Sequence, residues 1–254
     1  MTIPSAAPFF TSNETSSWLL YILTDSALPT GGFVASSGLE ASWQAGLIDN
    51  ENLGAWVTSS AHNYASNTNC FVRAGYEAPD HEDSLAYLIE SDNICDAVMA
   101  ANTVARRASL AQGIAMLTLY LKCFTDSPEN VSEQEHKKNI EVVKKWKSMI
   151  RGEKIDGHFA ICYGLVCRYL KVDLDNTLHL WLYLFTRTIY SSAVRLNVVG
   201  PYEAQKLLLQ SRKPIEVIIK ETKDIGIEDC CQTNPLLDVC QGMHDRLYSR
   251  LFNS

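Results

Sequence analysis

Side chains able to do chemistry are spread thinly along this chain. The six histidines, at 62, 81, 136, 158, 179 and 244, include no i, i+4 pair. Spacing therefore supports no H-E-x-x-H metal centre, although distant residues can meet in a fold. No G-x-S-x-G nucleophile turn is present. Cys230-Cys231 is an adjacent thiol pair in a loop. One reading is a soft-metal or redox site, a helical metalloenzyme in which Cys230, Cys231 and His244 converge. The plainer one is loop or partly buried cysteines, since no second ligand pair is nearby. The glycine-bearing stretch at residues 24–40 could cradle a phosphate. It lacks the G-x-x-x-x-G-K-S/T spacing, any lysine between Thr24 and Glu51, and a preceding strand. It reads as a shaped loop, a packed turn or a partner-docking surface. Pro29 fixes φ and cannot continue a helix, while Gly31 and Gly32 allow left-handed or closely approached backbone. Asp25, Ser26, Ser36 and Glu40 are its polar handles.

Three further clusters carry polar groups. Arg106, Ser109 and Gln112-Gly113 recur at helical spacing and share one face. Gly113 in mid-helix costs about 1 kcal/mol relative to Ala, which points to close helix approach. The face is either a patch for a partner or a hydrogen-bond knot between helices. Ser191 to Leu196 is a small-residue helix surface, with Arg195 able to pair with a carboxylate. It suits a helix interface within the chain or between copies. Finally, the chain ends with His244, Tyr248, Arg250, Leu251 and Phe252 close together, unusual for a fraying tail. That tail either docks on its own domain or orders on another surface.

The elements behind these groups are helical. Leu53, Trp56, Val57, Ser60, Ala61 and Tyr64 form one amphipathic stripe. Pro79 interrupts the chain before Asp80, a candidate N-cap. The stretch 80–124 is too long for one globular helix, so a break is expected near Arg106. Asp126 to Asn130 reads as a turn and 133–149 as a charge-rich amphipathic helix, then helices follow from His158, from Thr177 capped by Asp175, from Tyr202 and from Pro214. A last helix follows Asn234-Pro235, its stripe Leu236, Cys240, Met243, Leu247 and Leu251. Strand and hairpin signals are nearly absent. The expected fold is all-α, a single helical-bundle domain of about ten helices over 17–254, with 1–16 a disordered N-terminal arm.

Composition narrows the function classes. At 254 residues and 46% hydrophobic, the chain can bury a sizeable core. A formal charge of −7 disfavours non-specific nucleic-acid binding. The segment 178–199 is apolar but carries His179, Arg187, Arg195 and Asn197, and fails as a lipid span. Eight scattered cysteines without C-x-x-C, and no cleavable leader, point to reduced core thiols in the cytoplasm, with diffusion into the nucleus open.

Four segments, in order across about 230 residues, carry a resemblance to a known family. They are Asp25-Ser26-x-x-Pro29-x-Gly31-Gly32-Phe33…Ser36-x-Gly38-Leu39-Glu40; Arg106-Arg107-x-Ser109-x-x-Gln112-Gly113; His158-Phe159…Gly164-Leu165 with Ser192-Ala193-Val194-Arg195-Leu196…Gly200; and Pro235-Leu236-Leu237…His244 through Phe252. This pattern resembles the UreF family of urease accessory proteins. One departure is visible: many relatives carry His where this chain has Ala35, so a metal-handling role for that histidine does not transfer. The longer charged segment 126–149 suggests a eukaryotic source. The resemblance implies a non-catalytic homodimer that bridges a scaffold subunit, UreD (also called UreH), to the nickel-carrying GTPase UreG. The assembly serves nickel insertion into apo-urease. No cofactor of its own is implied; nickel is handled by the complex, without a membrane or nucleic acid. An unrelated helical scaffold is the remaining alternative. The residues that would meet partners are Asp25, Ser26, Pro29, Gly31, Gly32, Phe33, Ser36, Gly38, Glu40, Arg106, Ser109, Gln112, Arg195, His244, Tyr248, Arg250, Leu251 and Phe252.

Overall fold

Helical periodicity becomes eleven α-helices, and no strand, among the described residues of this computed structural model, which are 12–124 and 131–253. They are α1 (Ser12–Thr24), α2 (Leu39–Gln44), α3 (Leu53–Glu77), α4 (Ser84–Met99), α5 (Thr103–Cys123), α6 (Glu133–Arg151), α7 (Phe159–Tyr169), α8 (Leu174–Arg195), α9 (Pro201–Gln210), α10 (Arg212–Thr222) and α11 (Pro235–Gly242). The expected arm lies outside the described residues up to Thr11; from Ser12 the chain is helical. The expected turn at 126–130 also lies outside them.

The bundle is built around α7, which is buried along almost its whole length. Such a helix can be sheathed only if its neighbours come close. Gly75 of α3 and Gly164 of α7 allow this reciprocally. A Cβ at Gly75 would lie 2.1 Å from the Ile161 carbonyl oxygen, and one at Gly164 would lie 1.9 Å from that of Val72. α5 covers another side of α7, α6 backs α5, and α8 and α10 pack on α3. The main core gathers Phe71, Tyr120, Trp146, Tyr163 and Trp181. A second core joins α2, the start of α3 and the end of α8 around Leu39, Val57, Ile189 and Ala193, and Phe252 from the tail completes it.

Helix starts lie a few residues from their expected places. The cap after Pro79 is Asp83, whose carboxylate accepts from Ala86 N at 3.0 Å, rather than Asp80, which belongs to a short 3-10 turn. The long 80–124 stretch breaks at 100–102, where Asn102 caps α5 by accepting from Ala105 N; Arg106 lies inside the helix. Asp173 replaces Asp175 as the cap of α8, and α10 starts at Arg212, two residues before Pro214. The last helix stops at Gly242, followed by a 3-10 turn at Met243–Arg246 and a non-helical tail. Leu247 and Leu251 therefore leave the stripe read for it. No described helix is long and apolar enough to cross a membrane.

Candidate functional site

The C-terminal tail does not hang free; a buried carboxylate holds it. Glu40, on the first turn of α2, is 2% exposed. Its two oxygens accept from Leu251 N at 2.7 Å and Phe252 N at 3.1 Å. Gly38, at φ 87°, turns the chain into α2, where a Cβ would press on Gln241 of α11 at 3.3 Å. Buried Ser36 accepts from Glu40 N. His244, fully buried, bonds Phe252 O through Nε2 at 3.1 Å and brings Nδ1 to 3.9 Å from Glu40. Asn253 N donates to Val34 O, and Gln44 donates to Ser249 O. Thus the first and last segments of the family-like pattern form one structure.

Three arginines complete it. Arg107 of α5 grips Asp245 in a two-pronged pair at 2.9 Å for each bond, and it also reaches Asn253 O. Hydrogen bonds from Arg107 hold the Asp245 carboxyl below its ordinary pKa despite some desolvation. Arg250 adds a second pair to Asp245. Arg195 lies with its guanidinium 4.2 Å from the Phe252 ring centroid and donates to Ser192 Oγ. Burial pushes its pKa down. Ser192 Oγ in turn donates to Ala35 O, tying α8 to the loop.

The tail's outer face is apolar. Tyr248 is fully exposed and Leu251 more than half exposed, while Phe252 is buried. Beside them, α11 shows Leu236 and Val239, the 3-10 turn after it shows Met243, and α2 and the loop after it show Trp43 and Leu47. Contiguous exposed apolar side chains of this kind mark interaction surfaces.

Arg106 and Ser109 are used inside the chain. Arg106 donates to Asp96 and, at 2.6 Å, to Asp156. Asp92, fully buried, accepts from the backbone of Asp156, Gly157 and His158 at 2.8–2.9 Å. Ser109 Oγ sits 3.1 Å from His158 Nδ1 and accepts from Phe159 N at 3.0 Å. His158 Nε2 is 3.2 Å from Asp96. Desolvation pushes the Asp96 pKa up, but the bonds from Arg106 and His158 prevail and hold it low. The order Ser109–His158–Asp96 matches a nucleophile relay. Here, however, the serine caps the first N–H of α7 and the aspartate is shared with Arg106, so the array braces the turn before α7. Gly113 lets that turn approach: a Cβ would lie 2.0 Å from Gly157 O. Arg106, Ser109 and Gly113 of this helix face take part in a hydrogen-bond knot within the chain.

Gln112 and the 25–32 loop meet elsewhere, at a cleft enclosing ≈ 180 Å³. Asp25, Ser26, Gly32, Gln112 and Gln241 line its mouth, and the stacked pair Tyr64–Phe185, with centroids 4.1 Å apart, lies deeper. Asp25, Pro29 and Gly31 are exposed or half-buried; the Phe33 side chain lies outside the described residues. Asn102 ties α11 to α5 here, donating to Asp238 at 2.5 Å and to Gln241 at 3.2 Å.

Cys230, Cys231 and His244 do not converge. Cys231 N bonds Ser66 O on α3, whereas His244 belongs to the tail latch. Among the described residues, no group of three or more His, Cys, Asp or Glu is placed to hold a metal ion. All eight cysteines are free. The residues missed from sequence are Asp92, Asp96, Asp156, Arg107 and Asp245. Asp92 and Asp96 stand at i, i+4, a signal of a shared polar face; nothing local pairs Arg107 with Asp245.

Comparison with known proteins matches residues 47–212 to the UreF family. Urease accessory protein F of rice (Oryza sativa subsp. japonica) is 34% identical over 242 residues, covering 94% of this chain and 86% of that protein. Urease accessory protein 6 of Cryptococcus neoformans is 31% identical, covering 93% and 96% respectively. A bacterial relative, urease accessory protein UreF of Paenarthrobacter aurescens, is 25% identical, covering 91% and 95%.

Proposed function

Because the chain belongs to the UreF family of urease accessory proteins, we propose that it serves urease maturation as a non-catalytic coupling subunit. In this reading it joins a scaffold subunit of the UreD/UreH kind to a nickel-carrying GTPase of the UreG kind. Together they load nickel into apo-urease. The observation that carries the reading is the latched tail, which buries Phe252 and leaves Tyr248 and Leu251 facing outward next to the apolar stripe of α11. Covering such side chains contributes roughly 1.5–3 kcal/mol each when burial is complete. We assign that face to the scaffold subunit. The tail's anchors, Glu40 and His244, hold it within the chain. The cleft mouth at Asp25, Ser26 and Gln112 is left for another partner of the assembly. Pairing of two copies fits exposed apolar side chains outside both regions, Trp18 and Tyr21 of α1 among them.

The test is copurification from cells making the scaffold subunit and the GTPase. Deleting residues 244–254 removes the face but also takes Phe252 from the second core. The double substitution Tyr248→Ala with Leu251→Ser keeps the core and the Glu40 bonds. Scaffold recovery is expected to fall about tenfold or more, with an unchanged circular dichroism melt. Undiminished recovery with the double substitution would overturn the assignment.

A further inference from the structure

Charge along this chain is sharply divided. Residues 137–154 hold seven Lys or Arg against two Glu, a net of +5. The remainder of a chain whose formal charge is −7 therefore carries −12. Most of the basic segment lies on α6, which stands on the outside of the bundle. Its inner face, His136, Asn139, Val143, Trp146 and Ile150, is buried. Its outer face carries two basic rows. Lys137, Lys144 and Arg151 recur every seven residues, and Lys138 and Lys145 form the adjacent row at the same interval; all five are exposed. Seven residues of α-helix rise about 10.5 Å.

Helix stability alone does not explain the rows. The helix dipole favours Glu133 and Glu135 in the first turn and Arg151 in the last, but acts only within those turns. Among the described residues, Lys137 pairs with Glu133 at 3.3 Å, an exposed pair worth little. Lys138, Lys144, Lys145 and Arg151 have no acid within 4 Å among the described residues, and Glu141, set amid four lysines, makes no ion pair there. Like charge also gathers at the inner edge. Lys147, which donates to Thr118 Oγ1 at 2.6 Å, has its pKa lowered by burial and then by Arg151 and Lys122.

We infer that the outer face of α6 is a docking surface for an acidic helical segment of a partner protein, one whose carboxylates recur every seven residues. Two adjacent rows with a seven-residue repeat match the charge ladder of a second helix lying alongside, as flanking positions do in paired helices. The face carries no large apolar side chain between its rows, only Gln134, Glu141 and Ser148, so it has nothing to insert into a bilayer. No aromatic side chain lies on it for bases to stack upon. The strongly negative remainder of the chain disfavours an extended polyanion, which would run past α6. A short acidic helix confined to α6 avoids that repulsion. This surface is separate from the tail and the cleft, so it stands whether or not those bind as proposed.

The experiment uses the full chain and a labelled helical peptide, about three heptads long, with Glu in two adjacent heptad rows. Fluorescence anisotropy at low salt is compared with a peptide of equal composition and helicity but scrambled charge order. The ordered peptide should bind about tenfold more tightly than the scrambled one, and weaken as salt shortens the Debye length. Lys137→Gln, Lys144→Gln, Lys145→Gln and Arg151→Gln together should abolish binding while leaving circular dichroism unchanged. Lys137→Glu with Lys144→Glu should instead capture the matching lysine-row peptide. Equal affinity for ordered and scrambled peptides would overturn the inference. So would absence of binding at low salt. Capture of phosphatidylserine vesicles or a single-stranded oligonucleotide through these residues, with no peptide binding, would overturn it too.

Discussion

Replacing Glu40 with glutamine tests the latch with a change of one atom type. The carboxylate is almost wholly removed from water and accepts two backbone donors, at 2.7 and 3.1 Å. In the amide, one acceptor oxygen becomes an NH2 group facing an N–H. One charge-assisted bond is lost, and the backbone N–H and the NH2 group it faces are both left without an acceptor. A hydrogen bond to a charged group contributes about 1.5–3 kcal/mol, and an unsatisfied buried donor costs about 1–3 kcal/mol. Relaxation of the tail recovers part of this, leaving a net loss of about 2–4 kcal/mol from tail closure. That corresponds to amide exchange about 30- to 1000-fold faster at Leu251 and Phe252. Asn253, bonded to Val34 O, should follow them. The assay is hydrogen–deuterium exchange resolved to residues 247–253, with α7 amides as the internal control. If tail exchange in Glu40→Gln protein of verified mass stays within about threefold of the parent, the latch reasoning fails. The cation–π contact of Arg195 with Phe252 must then hold the tail instead.

Other expectations follow from the same geometry. Gly164→Ala places a Cβ 1.9 Å from the Val72 carbonyl oxygen, a backbone atom that cannot step aside, so it should lower stability by about 3 kcal/mol or more in a denaturant titration. Asp96 has a folded pKa below its ordinary value of 3.8. Its contribution is therefore complete above that value and drains as pH falls through the folded one; Asp96→Asn should flatten the acid limb of a stability–pH curve below about pH 4. Burial pushes the Cys70 and Cys167 thiols up to about 12, so near pH 8 iodoacetamide should label exposed Cys123 and Cys231 first, as read by peptide mass spectrometry. Rapid labelling of Cys167 in folded protein would contradict the packing of α7.

Much of the architecture is written locally. Apolar residues at helical spacing, prolines and cap-forming side chains place the helices to within a few residues, because those signals act over one or two turns. The cost of Gly113 in mid-helix announces a close approach that the structure places against Gly157 O. The start of α5 is not legible in the same way. The break is expected near Arg106, but Asn102 caps α5 by accepting from Ala105 N, and Arg106 lies inside the helix, paired with Asp96 and Asp156. The extent of the final helix escapes for a similar reason. Helical spacing from Leu236 to Leu251 is intact, but Glu40, some 200 residues earlier, takes the amides of Leu251 and Phe252 and pulls the chain off the helical path. The sequence by itself determined that this is an all-helical protein with a family-like set of loops and ends. Only the tertiary structure decided which of those groups are spent inward and which face out, because pairing of buried charge with backbone donors depends on residues brought together from opposite ends of the chain.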